Sequence, residues 1–488
     1  MDRNPIHLVL LHSNDIHGAF SPSEREGVKT GGLPLLSGCV RRIRREEKNV
    51  VYAVAGDMFM GSIIDREYKG LSTIRLMNAL QPDVFAVGNH EVDYGLSHLL
   101  FLEKCADFPI TCANMYVKEL NRRLFLPYVD LVREGVRLRF VGLLTESVGE
   151  HLRQEELIDT SVSIRDVKKE FTRIFTRELK DRADLTILLS HVGLEEDKVL
   201  AAMAEPGAGP DMIIGGHSHT FLKEPLIVNH VPIVQAGFGS SQIGRFDLYF
   251  DPEDHSLRDW NWLLLPVNEF SGEPDPLIEF YQEVYQTETD RKYERILVTF
   301  PCEYTHPGFH RETQLIDLFT DVCQDAFHTD VFLISTNVIR AKKLGPQVTR
   351  KDLLMGYPYD NAVYRLTMKG SRLLQVIRHF LRKEAWEGAS IYFLFSKTLY
   401  VELTKEEKIV RKAELYGKPI DPEREYTVGI TGYAYKNLPA FLGISEDEIG
   451  GAVQADLLCE NDREALEAYF STHSRFTLEK EGRYRFVD

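Results

Sequence analysis

Gly88-Asn89-His90-Glu91-Val92-Asp93 follows an apolar run at residues 83–87, and Gly215-Gly216-His217-Ser218-His219 follows another at 211–214. The arrangement recurs three more times. Asn14-Asp15-Ile16-His17-Gly18 comes after residues 7–11, Gly56-Asp57 after 50–55, and Ser190-His191 after 185–189. Each run is short and rich in Val, Ile and Leu, the composition of strands buried on both faces of an α/β domain. Polar residues at the carboxyl ends of such strands open into one crevice, where α/β sheets place their sites. A lone Gly-Asp is most often a turn, and a lone His at a strand end is most often structural. Five strand ends that all finish in Asp, Asn or His point elsewhere. These are the residue types that hold divalent metals over a phosphate ester.

Working outward, the alternation of strands and helices continues through residues 138–143 and 233–235. It closes with a hairpin-like pair, 245–250 and 258–267, around Asp251-Pro252-Glu253-Asp254. Residues 163–179 have helical period and heavy charge, which predicts a solvated helix. A boundary falls after Val267, where Ser271-Gly272-Glu273-Pro274-Asp275-Pro276 breaks regular structure. Residues 277–289 then read as a helix. The expected organisation is an N-terminal domain over 1–270, a linking helix over 271–294 and a C-terminal domain over 295–488. No GxGxxG or GxxxxGK[ST] phosphate loop occurs.

At 488 residues the chain is long enough for two or three domains, and 43% apolar with 27% charged residues is ordinary globular composition. A net charge of −16 argues against nucleic-acid polymers and anionic membranes as partners. It does not oppose small phosphates, because metals and a few arginines reverse the field locally. The chain opens Met1-Asp2-Arg3-Asn4-Pro5 with no export-signal features, and its six cysteines include no CxxC pair. A cytoplasmic location and reduced thiols are expected.

The ordered strings NDIHG, GD, GNHEVDYG, SH and GGHSH resemble those of the calcineurin-like metallophosphoesterases, in the branch of 5′-nucleotidases and UDP-sugar hydrolases. The resemblance implies an α/β (α+β) fold: an N-terminal two-sheet sandwich flanked by helices and a smaller C-terminal α/β substrate-binding domain. It also implies two bridged divalent ions (Zn, Mn, Co or Fe). Asp15, His17, Asp57 and His219 would hold one ion, and Asn89, His191 and His217 the other, with Asp57 bridging. Some relatives carry Gln where this chain has His219. His90 and Asp93 would form a catalytic dyad, Asp93 orienting His90 toward the phosphoryl or leaving group. Read locally, Asp93 is also a plausible helix N-cap.

Beyond residue 295 the resemblance to the second domain of the nucleotidases is weaker. Arg340 stands where the family has the arginine of Gly-Gly-x-Arg, although Asn337 and Val338 replace the glycines. Arg378 and Arg382 are candidates for a second phosphate-binding arginine. Phe393 and Phe441 fall nearest the positions of the two aromatics that sandwich the base, although the Gly-Gly-Asp-Gly string is absent. Either could equally be core. The expected activity is hydrolysis of a small-molecule phosphoester, a nucleotide: a 5′-nucleotidase, with 2′,3′-cyclic-nucleotide phosphodiesterase or UDP-sugar hydrolase activity as variants. The alternatives are a phosphatase of a non-nucleotide ester such as a sugar phosphate, and a nucleotide-binding protein that has lost turnover.

Overall fold

The computed structural model describes residues 4–148, 162–179, 181–205, 207–388, 392–476 and 482–488. The chain forms two compact units, Met1–Thr289 and Asp290–Asp488. In the first unit, β1 (Ile6–Ser13), β2 (Val50–Ala55), β3 (Val84–Ala86) and β4 (Ile110–Thr111) run parallel in that order. A second sheet contains β5 (Tyr128–Arg133), β6 (Val136–Leu144), β7 (Leu185–His191), β8 (Met212–Gly215), β9 (Leu226–Val228) and β10 (Val231–Val234). Its order is β9-β10-β8-β7-β6-β5. The hairpin β11 (Gln242–Phe250) and β12 (Leu257–Pro266) returns to the first sheet and pairs antiparallel with β1.

The alternation of side chains along a strand explains how so little polarity is needed here. Leu8 and Leu10 of β1 and Val51 and Ala53 of β2 face Leu138, Phe140, Ile187 and Leu189 of the other sheet in one buried layer. The intervening residues Val9, Leu11, Tyr52 and Val54 pack outward against Leu36, Val40 and Ile43 of the helix Leu33–Glu46. On the far side Leu143, Leu188 and Ile213 meet Phe171 and Leu200 of two further helices. The result is helix, sheet, sheet, helix, with both faces of each central strand dry. Each large apolar side chain buried this way contributes roughly 1.5–3 kcal/mol.

Two local expectations change. The segment 163–179 begins as a short strand, Val162–Ile164, paired with Met115–Val117, and its helix starts only at Val167. Pairing to a partner far along the chain overrides the helical period. Asp93 caps no helix: the following helix begins at Leu96 with Gly95 as its N-cap. The helix expected at 277–289 spans Pro276–Tyr293.

In the second unit, β13 (Val331–Ser335), β14 (Val363–Lys369), β15 (Phe393–Phe395), β16 (Glu425–Thr431) and β17 (Val453–Cys459) form a sheet ordered β15-β13-β16-β14-β17. The helices Gln314–Phe327 and Gly370–Phe380 contribute Leu315, Phe319, Leu373 and Ile377 to its core. Among the described residues no helix is long and apolar enough to cross a membrane.

The close packing of the first sheet makes one substitution informative. Gly244 of β11 lies opposite His12 of β1, and a Cβ there would overlap the buried His12 ring, which accepts a 3.1 Å hydrogen bond from Trp262. Gly244→Ala is expected to lower stability by about 1–3 kcal/mol, the range for overpacking a core. Urea denaturation should show a lower midpoint at an unchanged m-value.

Candidate active site

The five strand ends converge. Asp15, Asp57 and Asn89 follow β1, β2 and β3, three neighbours in the first sheet. His191 ends β7, and His217 follows β8, its neighbour in the second. Both sheets present these carboxyl ends to one place, where three overlapping donor groups form: Asp15, His17 and His219; His17, Asp57 and His90; and Asp57, His191 and His217. Within each group the donor atoms lie within 4.8 Å of one another. Asn89 Oδ1 is 3.1 Å from His191 Nε2 and 2.6 Å from His217 Nδ1. The seven proposed ligands and His90 thus form one cluster.

Its backbone is unusual. Asp15, His17, Asp57, His217 and His219, five of the seven, have φ between 48° and 74°. Non-glycine residues rarely adopt this left-handed region, at a cost of roughly 1–2 kcal/mol each. Hydrogen bonds hold them there. Asp15 and His17 donate their N–H groups to Gly56 and Asp57 carbonyls at 3.0 Å, fastening the first loop to the second. The His217 N–H donates to both carboxylate oxygens of Asp15 at 3.0 Å.

Three residues that the sequence reading left unassigned hold these loops. The buried Glu91 carboxylate accepts N–H groups from Gly88 (2.6 Å), Met58 (2.8 Å), Asp57 (2.9 Å) and Phe59 (3.3 Å). Asn14 donates to Asp15 Oδ2 and to the Gly237 carbonyl, both at 2.7 Å. Gln235 accepts from Thr220 N–H (2.6 Å) and Ser218 Oγ (3.0 Å), and donates to Gly216 O (3.0 Å). Asn14 and Glu91 stand inside the quoted strings, so adjacency was the available signal; Gln235 gave none.

The electrostatics suit cations. Asp15 and Asp57 are buried side by side, at 0% and 1% exposure. Burial raises the Asp15 carboxyl. Burial also opposes ionisation of Asp57, but the charge and hydrogen bond of His191 hold it below the usual carboxylate range. His191 in turn, although burial works to lower it, is pushed up to about 9 by Asp57. The His17 and His219 Nε2 atoms face each other at 2.9 Å. His191 and His17 direct Nδ1 to the carbonyls of Ala55 (2.8 Å) and Phe59 (3.3 Å), which leaves Nε2 for the cluster. Converging imidazole nitrogens and carboxylates with their other atoms already satisfied are a donor set that fits divalent ions.

His90 stands beside this set. Its Nδ1 is 2.6 Å from Asp93 Oδ2, and its N–H donates to Asp57 Oδ1 at 2.9 Å. Burial works against the imidazolium, but the Asp93 hydrogen bond and the charges of Asp57 and Asp93 raise His90 to about 9. The dyad geometry is present.

The second-unit candidates fare differently. Arg340 is exposed, with Nε 3.2 Å from the Tyr359 hydroxyl. Arg378 is exposed on its helix. Arg382 is spent on backbone carbonyls, those of His379 (2.6 Å) and Ala440 (2.9 Å), which makes it a structural cap. Phe393 and Phe441 are core residues at 0% and 4% exposure, their ring centroids 5.5 Å apart. Phe393 lies in β15 and Phe441 in the helix Leu438–Leu442, and buried against each other neither presents a free face to a base.

With this geometry established, comparison with known proteins is direct. Residues 8–221 match the model of the calcineurin-like phosphoesterases, and residues 298–441 that of the 5′-nucleotidase C-terminal domain. Protein UshA of Yersinia enterocolitica is 24% identical, over 96% of this chain and 91% of its own. A 5′-nucleotidase of Vibrio cholerae is 26% identical over 79% of this chain and 78% of its own. The crystal structure of a 5′-nucleotidase precursor from Thermus thermophilus shares the fold, with a TM-score of 0.68 at 22% identity, covering 99% of this chain and 100% of that one.

The His90–Asp93 pair predicts a pH signature. A protonated His90 is the acid-competent form, and Asp93 raises its pKa. In Asp93→Asn the alkaline limb of the kcat profile should therefore move to lower pH. A limb that stays in place would separate His90 from the ionisation that limits turnover.

Proposed function

We propose that this chain, a calcineurin-like phosphoesterase carrying a 5′-nucleotidase C-terminal domain, hydrolyses nucleotide phosphoesters at a centre of two divalent ions. The observation that carries the reading is the convergence of Asp15, His17, Asp57, Asn89, His191, His217 and His219 beside the His90–Asp93 dyad. When bound, two such ions clamp the phosphoryl oxygens and acidify the attacking water.

The residues of the chain supply the rest. Asp57 and His17 each belong to two of the three donor groups, and of the two only the Asp57 carboxylate has two oxygens and a negative charge that would offset repulsion between two cations. Asn89 adds a neutral oxygen, which limits the negative charge facing an anionic substrate. His90 holds Nδ1 on Asp93 and keeps Nε2 for the substrate, where it can stabilise phosphoryl charge or give a proton to the departing oxygen. Arg340, exposed over Tyr359, offers a planar guanidinium for an anionic substrate group. The burial of Phe393 and Phe441 keeps a non-nucleotide ester, such as a sugar phosphate, as the second reading.

Phosphate release by the Mn²⁺- or Co²⁺-loaded protein from nucleoside monophosphates, cyclic nucleotides, nucleotide sugars and sugar phosphates decides between the two. The first reading expects nucleotide esters to lead by about tenfold or more in kcat/KM, a margin of roughly 1.4 kcal/mol. Sugar phosphates ahead would select the second.

Two variants test the centre. Asp57→Asn should lose at least one ion by metal analysis, together with nearly all turnover; two retained ions at near-native rate would remove the bridge. His90→Ala should keep its metal content and lose roughly 10²–10⁴ in rate, the usual worth of a positioned acid or base.

A further inference from the structure

Beside the metal-competent cluster lies an aromatic pair that the reaction outlined above does not use. Phe238 is 53% exposed and Phe221 44%. Their ring centroids are 6.1 Å apart, and Phe238 lies near-parallel to the His219 imidazole at 5.4 Å and 26°. A single exposed phenylalanine is ordinary on a protein surface. These two are in contact, adjoin the cluster and are held firmly by the backbone beneath them.

Phe238 sits between Gly237, whose carbonyl accepts from Asn14, and Gly239, whose N–H donates to the Asp15 carbonyl; both bonds are 2.7 Å. Its loop is therefore fastened on either side to the segment that carries Asp15. The Gly237 N–H donates to Thr220 O at 3.0 Å, and Phe221 bridges Ala236. A Cβ on Gly237 would collide with the Phe221 ring, so the glycine lets that ring lie flat on the loop. A preorganised ring of this kind loses little freedom when another ring stacks on it.

We infer that Phe238, supported by Phe221, is a stacking platform for a planar ring on the retained arm of a phosphodiester substrate, such as a dinucleotide or an aryl diester. The inference rests on the proposed reading of His90 as the group that serves the leaving oxygen. The rings form a row of contacts, His90 to His17 at 5.1 Å, His17 to His219 at 4.9 Å, then Phe238. His90 and Phe238 are its two ends. When a phosphorus loses its leaving oxygen beside His90 to an in-line water, its other ester arm is equatorial, turned away from both, and can reach the Phe238 end of this row. Water oxygen bonds to phosphorus, the bond to the leaving oxygen breaks, and that oxygen takes the His90 proton. The water's proton goes to solvent, which reprotonates His90, and the stacked ring remains on the product monoester.

Bis(4-nitrophenyl) phosphate and methyl 4-nitrophenyl phosphate share a leaving group and differ only in the retained arm. Phe238→Ala in the Mn²⁺-loaded protein should reduce the aryl-over-methyl ratio of kcat/KM by about tenfold, in keeping with stacking on an aromatic side chain. Phe238→Tyr should keep the ratio within about twofold, since its ring still stacks. Calorimetric binding of diphenylphosphinate against dimethylphosphinate should lose the same preference in Phe238→Ala, with no turnover involved. An unchanged ratio in both measurements overturns the platform. Equal losses for both esters also overturn it, because the ring would then only orient His219. If wild-type protein cleaves neither ester but releases phosphate from nucleoside monophosphates, the diester substrate and with it the platform are overturned; if it hydrolyses neither class of ester, the phosphoesterase reading fails instead, and the calorimetric ratio still judges the platform.

Discussion

The buried carboxylate of Glu91 accepts backbone N–H groups from two loops that belong to neighbouring strands. That interaction sets the position of Asp57, which belongs to two of the donor groups and has a left-handed backbone conformation that non-glycine residues rarely adopt. Removing the acceptor would leave several buried amides unsatisfied, each costing about 1–3 kcal/mol. Burial and the neighbouring Asp57 charge push Glu91 up to about 7, so the clamp is itself held under electrostatic tension. Asn14 and Gln235 repeat the device for the loops bearing Asp15 and His217. A set of strained residues in the donor groups is thus held by buried side chains that belong to none of those groups.

The same economy governs charge. Asp15 and Asp57, two carboxylates buried together, repel by Coulomb's law. The arrangement persists because five imidazoles, those of His17, His90, His191, His217 and His219, adjoin them, and N–H groups of Asn14, His90 and His217 donate to their oxygens. Divalent ions, bound as proposed, would complete what the imidazoles begin. Asp93 performs the corresponding service for His90 at the edge of the cluster.

How much of this was legible in the sequence follows from the kind of information each residue carries. The strand ends were readable because a dry parallel strand is a continuous apolar run and its first polar residue marks where the run leaves the core. Glu91, Asn14 and Gln235 were not, because their partners are backbone groups as far as 223 residues away along the chain. Phe393 and Phe441 stood at the expected places in the sequence, but burial depends on what packs above them. The strand at Val162–Ile164 was hidden for a related reason, since its pairing partner lies far upstream. For Asp93 the resemblance implied the dyad and the local string a helix N-cap; the pairing with His90 is present, and Gly95 at the start of the next helix removes the cap.

The proposed ligand residues come from two sheets that share no hydrogen-bonded strand and meet through a dry apolar layer. A strand advances about 3.3 Å per residue. Sliding one sheet against the other by a single residue would thus carry His191 and His217 away from Asp15 and Asp57 by most of the 4.8 Å span of a donor group. Leu10, Ala53, Phe140 and Leu189 therefore act as a gauge block. A change of one methyl group among them would reach the spacing of the donor atoms at a distance, so that with ions held as proposed the reach of a coordinate bond would limit this core as well as stability.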